Sequence, residues 1–207
     1  MSVGTYALTS LADLKEFLGI PLESAGNEML LESCVDRATG LFEHVTNRKL
    51  MARDYSYDSG SGDYDSDNAV INGNGRNRMI LPQYPVNAVT TLRINETGIS
   101  QSTSIYACGW VIEDKAAGIV TLRCYVYTEG LKNIDWAYNA GFAAAPDDLE
   151  EAAIEQAAWY FKQAGPGGNL LGVASKTLAD GSISYNAKDL LPAVKMTLER
   201  YKKRIAY

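Results

Sequence analysis

The sequence predicts an α+β fold, a helical frame carrying an inserted antiparallel β-sheet or barrel of about five or six strands. Three observations predict it. Apolar residues recur at spacings of three and four near both ends of the 207-residue chain. Between those ends the pattern becomes alternating and rich in β-branched and aromatic residues. Hydrophobic residues make up 46% of the chain, enough for one good core or one core with an appended lobe, and residues 1–207 are expected to form a single domain.

The first helix starts at Ser10, which pairs with Asp13 as a capping box, and carries Leu11, Leu14, Phe17 and Leu18 on one face. Gly19 and Pro21 stop it. The second is expected over 25–47, with Leu31, Cys34, Val35, Ala38, Leu41, Phe42 and Val45 as its apolar stripe. Residues 1–49 therefore form an N-terminal helical part. His44, the only histidine, falls near the end of the second helix and is read as a capping or packing residue.

Residues 50–145 form the inserted β region. "ARDYSYD" alternates as a strand, and an acidic loop follows over 58–76. Pro82 and Pro85 divide residues 78–94 into two extended pieces. Residues 109–114, 118–127 and 133–142 read as further strands, with turns at Gly98, "DKAAG" and Gly130. Helix returns over 146–207. Pro146, Asp147 and Asp148 make a strong start, an Ala-rich helix follows, and residues 164–172 are expected to be a flexible loop. The last helix begins near Pro192, with Val194, Leu198, Tyr201 and Ile205 on its apolar stripe.

Candidate chemistry is scarce. "DYDSDN" places Asp63, Asp65 and Asp67 at the spacing of the first calcium-loop ligands. Its sixth position is Asn68 where glycine would make the turn, and its twelfth is Asn74 where glutamate would give two oxygens. A solvated acidic loop is the simpler reading, with no metal and no cofactor. "GSGD" (60–63) and "GNGRN" (73–77) contain glycine but join no strand to a helix, and no G-K-[ST] follows. One histidine and no C-x-x-C leave metal and triad catalysis without material. Asp147, Asp148, Glu150 and Glu151 are explained by a helix start, so no catalytic residue is assigned and no enzyme is expected. Cys34, Cys108 and Cys124 are an odd set, for which buried thiols are expected in place of a disulfide framework.

The net charge of −6 is unevenly spread. Over 188–207, six Lys/Arg against Asp189 and Glu199 give +4, which leaves −10 for the rest. An acidic body argues against general nucleic-acid binding, whereas the basic end suits an acidic partner surface. No apolar run approaches a membrane span, and "MSVGTYALTS" lacks the basic start and apolar stretch of a signal peptide, so a cytoplasmic origin and no membrane are expected.

Several stretches, taken in order, carry a resemblance. They are "LTSLADLKEFLGI" with the long helix and "VTNRKL"; "GNGRNRMILPQYPVNAVTTLRI"; "WAYNAGFAAAPDDLEEAAIEQAAWYFKQ"; and "GVASKTLADGSISYN" with "LLPAVKMTLERYKKR". Together they resemble the head–tail connector (adaptor, or head-completion) proteins of tailed bacteriophages over nearly the whole chain. The 58–76 loop is longer and more acidic than that pattern, and residues 95–130 match it loosely. The resemblance implies a structural virion protein assembled in the host cytoplasm: a homo-oligomeric ring, a dodecamer, beneath the portal protein. A downstream neck, stopper or tail protein would follow, and genomic double-stranded DNA would pass through the ring. It makes Arg200, Tyr201, Lys202, Lys203, Arg204, Ile205 and Tyr207 the candidate portal-docking end. Asp58, Asp63, Asp65 and Asp67 become a flexible acidic loop facing the lumen or a neighbouring ring. The alternative is a β-rich carbohydrate- or calcium-binding surface module, with Trp110, Trp136 and Trp159 as stacking platforms.

Overall fold

The computed structural model describes residues 3–60, 63–164, 175–178, 181–184 and 190–203. It divides into two compact units, one from Met1–Asn47 with Ala145–Lys203, the other built on Arg48–Ala144.

In the first unit, α1 (Leu11–Leu18) begins with the expected capping box: the Asp13 amide donates to Ser10 Oγ at 3.2 Å and the Ser10 amide to Asp13 Oδ2 at 3.3 Å. It ends at Gly19 in the left-handed region, φ 68°. Phe17 departs from its expected place and is 54% exposed. The inward position belongs to Lys15, whose ammonium donates to the Leu22 and Ser24 carbonyls at 3.0 and 2.9 Å and pairs with Glu28 Oε1 at 2.6 Å. A buried charge persists only where such partners replace water, and these three hold the α1–α2 connection.

The second helix, α2 (Glu28–Thr46), starts later than expected because Asn27 is in the left-handed region, and it closes on Asn47 in the same conformation. Its buried stripe of Leu31, Cys34, Val35, Ala38 and Phe42 follows the periodicity. Burial also pushes the Cys34 thiol pKa up, with Arg37 pulling weakly the other way. Against this stripe packs α3 (Asp147–Ala164) through Ala157, Ala158 and Tyr160. Small side chains allow the close approach, and Arg37 lies 4.1 Å over the Tyr160 ring. The last helix, α4 (Pro192–Tyr201), buries Val194 and Leu198. Its entering amide, Leu191 N, donates to Gln156 Oε1 at 3.2 Å. Before it lies a strand pair that alternation did not reveal, β9 (Ser175–Leu178) against β10 (Gly181–Ser184).

Among its described residues the second unit holds eight antiparallel strands: β1 (Arg53–Ser56), β2 (Val70–Gly73), β3 (Arg78–Ile80), β4 (Val86–Ile94), β5 (Thr97–Ile99), β6 (Gly109–Asp114), β7 (Ile119–Arg123) and β8 (Gly130–Ala140). They form a sheet of order β1-β8-β4-β5, with β2 also on β8, and a second of order β3-β7-β6. The α+β class holds, as sheets and not as a closed barrel. The added strands β2 and β5 are short, which weakens alternation as a signal. Gly98 lies inside β5, and the turn expected there is made by Asn95 and Glu96, both at positive φ. The expected 118–127 strand stops at Arg123, because Cys124 takes φ 65°. Trp136, Trp110, Tyr127, Tyr138 and Tyr55 fill the core.

The cysteine expectation needs correction. Cys34 is buried, but Cys108 and Cys124 are exposed and bonded to each other across 16 residues. The odd count concealed one pair and one buried thiol.

Where the chain enters this unit, Arg48 is nearly buried and donates to the Tyr84 carbonyl, with its guanidinium 3.9 Å over the Tyr84 ring and 5.8 Å from that of Phe142. Beside it the Lys49 amide donates to Gln83 Oε1 at 3.0 Å, and Gln83 Nε2 donates to Asn68 Oδ1 at 2.9 Å. Phe142 exchanges backbone hydrogen bonds with Leu50 and Ala52, and the Gly141 amide donates to the Pro85 carbonyl. At Gly141, φ is 116° and an added Cβ would lie 2.5 Å from the Met51 carbonyl, so glycine is required. "NRKL", "LPQYPV" and "YNAGF" thus meet in one polar knot.

Reduction of Cys108–Cys124 is expected to lower stability by about 3 kcal/mol, the chain-entropy value for a loop of this length. Urea melts with and without a phosphine reductant measure it. Lys15→Ala leaves two carbonyls and Glu28 without their donor and is expected to cost about 2–3 kcal/mol. Equal unfolding midpoints for K15A and wild type would refute the assigned role of the ammonium.

Candidate functional site

Three surfaces carry the candidate residues, each within a single unit. The basic end follows α4 in the first unit. Tyr201 Oη donates to Asp148 Oδ1 at 2.5 Å, and Arg200 Nη1 lies 3.8 Å from Asp148 Oδ2. Asp148 belongs to the first turn of α3, where a carboxylate also meets the positive helix end. Lys202 pairs with Glu199 at 2.6 Å, and the Lys203 amide donates to the Thr46 carbonyl at 2.8 Å. The structure therefore brings Arg200 and Tyr201 together on one carboxylate and gives Tyr201 an internal duty. Arg200 keeps 77% of its side chain in solvent. Arg204, Ile205 and Tyr207 lie outside the described residues.

The acidic segment belongs to the second unit. Asp58 Oδ1 accepts from the Gly60 amide at 2.9 Å. Asp65 Oδ1 accepts from the Asp67 and Asn68 amides at 3.0 and 3.1 Å, and Oδ2 accepts from Asn68 Nδ2 at 2.7 Å. This is an Asx turn, and it explains the aspartate locally without a ligand. The turn is tied to the sheet, since the Ser56 amide donates to the Asp63 carbonyl, the Asp65 amide to the Ser56 carbonyl, and Tyr138 Oη to the Asn68 carbonyl at 3.1 Å. Burial pushes the Tyr138 phenol well above its ordinary range. Asp67 and Tyr64 project outward, Tyr64 being 48% exposed. Among the described residues no group of three or more His, Cys, Asp or Glu gathers to hold a metal ion.

Sequence reading missed the third surface. The edge strand β3 and residues 124–128 flank an open cleft of about 1160 Å³, lined among others by Arg76, Arg78, Ile80, Tyr125 and Val126. The Arg78 guanidinium pairs with Glu113 at 2.9 Å, while the exposed Arg76 guanidinium has no partner among the described residues. Cys108–Cys124 joins the cleft's 124–128 wall to the segment bearing Ile105 and Tyr106, which are 71% and 90% exposed. Arg123 Nη1 pins that segment too, donating to the Ser104 carbonyl at 2.7 Å. The signal was present as an apolar run, "CYVY", but alternation assigned it to a strand interior.

Trp110 and Trp136 are buried in the core and offer no stacking platform, and half-buried Trp159 rests against Tyr160. Among the described residues no helix is long and apolar enough to cross a membrane.

Comparison with known proteins gives a consistent result. A family model described as "Head completion protein" matches residues 7–204. Comparison with curated protein sequences finds no match. Among solved structures, a chain in the neck of an empty gene transfer agent particle, treated with C6 symmetry, is similar at TM-score 0.59 and 20% identity, covering 100% of this chain and 95% of that one. A chain in the neck of the native particle, treated with C12 symmetry, is similar at TM-score 0.58 and 20% identity, with 100% and 94% covered. A chain of the native gene transfer agent virion gives TM-score 0.58 at 20% identity, with 100% and 95% covered.

Tyr201→Phe removes the hydroxyl from Asp148 and is expected to cost about 1.5 kcal/mol, the range for a hydrogen bond to a charged group. Urea unfolding of the variant measures it, and a change below a few tenths would show that Asp148 is satisfied by Arg200 alone.

Proposed function

We propose a function from the premise that the chain belongs to the head completion protein family, whose model spans nearly all of it. Its role is structural, as a head–tail connector of a tailed phage-like particle. Copies of the chain form a ring in the virion neck, docked on the portal on one side and receiving a neck, stopper or tail protein on the other. The observation that carries this reading is the family match over residues 7–204. The similarity to chains from necks treated with C6 and C12 symmetry supports a cyclic arrangement, for which a dodecamer is the working number.

The charge distribution suits such a role. A chain of net charge −6 repels phosphates overall, so DNA would move through a ring of these subunits without salt-stabilised arrest. The chain performs no catalysis in this reading. Its work is done by surfaces, and the basic end after α4 is the portal-docking candidate. Arg and Tyr are frequent interface anchors, and Lys adds electrostatic steering. Assembly would begin in the host cytoplasm and end in the virion.

The test is native mass spectrometry of the full chain alone and with purified portal rings. About a dozen copies per portal ring are expected, and a chain that ignores portal would overturn the reading. For the docking end, a chain lacking residues 204–207 keeps Tyr201 on Asp148 and so keeps α4 in place. It is expected to stay folded by circular dichroism yet lose portal attachment. Full attachment by the truncated chain would remove residues 204–207 from the docking surface.

A further inference from the structure

The arginine-lined cleft and the acidic turn of the second unit are opposite in charge and separate in space. Ser56, which holds the acidic turn through the Asp63 and Asp65 backbone, pairs with Ala137 of β8. Gly73, which leads into the cleft, pairs with Gly130 of the same strand. Seven residues of β8 separate these levels, about 23 Å along the strand at about 3.3 Å per residue. The turn is fixed to the sheet by Asn68, through Tyr138 and Gln83.

We propose that the cleft receives the acidic turn of a second copy of this chain, an inference that rests on the ring reading above. Ring closure needs two different patches on each subunit, one presented and one received. The presented patch is the Tyr64 ring with the Asp67 carboxylate, both outward. The receiving patch offers Tyr125, Val126 and Ile80 to the ring and the exposed Arg76 guanidinium to the carboxylate. Tyrosine and arginine are the side chains that anchor such contacts, and like charges placed opposite each other suppress them. Cys108–Cys124 fixes the wall that carries Tyr125 and Val126, so the receiving patch is preorganised before the partner arrives.

The test reverses charge on each side separately in the full chain. Arg76→Glu and Asp67→Lys both change exposed side chains, and circular dichroism checks that both variants fold. Oligomerisation is followed by native mass spectrometry across a concentration series, alone and on portal rings. Each variant is expected to need at least about tenfold more protein for half-assembly, a factor equivalent to one lost charged contact turned repulsive. A one-to-one mixture of R76E and D67K restores both pairings between unlike copies and is expected to assemble nearly as wild type does. Wild-type assembly matched by both single variants would overturn this contact while leaving the ring reading intact. Weakened variants that the mixture fails to rescue would also overturn it and assign the cleft to another protein of the neck. A wild-type chain that stays monomeric in both settings would overturn the ring reading and the contact together.

Discussion

The guanidinium of Arg48, withdrawn from water where the chain enters the β unit, is the group on which the second unit depends. A buried cation is costly unless surrounding groups replace its hydration. Here the replacement comes from the Tyr84 carbonyl and two aromatic faces, contributed by segments distant in sequence. Satisfying one charge therefore fixes the relative positions of the entering segment, the β3–β4 connection and the end of β8. Gln83 extends the constraint to the acidic turn through Asn68. An apolar residue at position 48 could fill space there but could not dictate this register.

The two units rely on different physics. The first is an alanine- and leucine-based helical packing whose close approach comes from small side chains, with charged side chains kept out of its described buried core. Lys15 is its exception and does for the α1–α2 connection what Arg48 does for the β unit. The second unit is an aromatic core between two sheets, with long polar side chains tying its loops. For a protein whose work is assembly, this division is useful. Candidate contact groups such as Tyr64, Asp67, Arg76 and Tyr125 are held by hydrogen-bonded turns, an edge strand and a disulfide. Little ordering entropy then remains to be lost when neighbours meet.

Much of the helical architecture was legible in the residues because its signals are local. Ser10 and Asp13 are three residues apart, Gly19 terminates α1 through its own backbone freedom, and Pro146 with Asp147 and Asp148 marks α3 within one turn. The stripe on α2 is a periodicity that needs no partner to be seen. The β region was legible by class but not by detail. Short β2 and β5 give too few alternations, and a turn made by Asn95 and Glu96 lies two to three residues before the glycine that attracted notice. The pairing of Cys108 with Cys124 depends on two loops meeting, which no local pattern records.

The candidate surfaces divide in the same way. By itself the sequence determined the α+β class, the helix boundaries set by caps, the uneven charge and the order of motifs that marks the family, because each is written in neighbours along the chain. Only the tertiary structure decided that Lys15 replaces Phe17 inside, that Asp65 is consumed by an Asx turn, and that Tyr201 is bound to Asp148. It alone also decided that "CYVY" borders a cleft facing solvent. Those outcomes depend on which groups compete for the same buried space and the same hydrogen-bond partners, and that competition is settled between segments far apart in the chain.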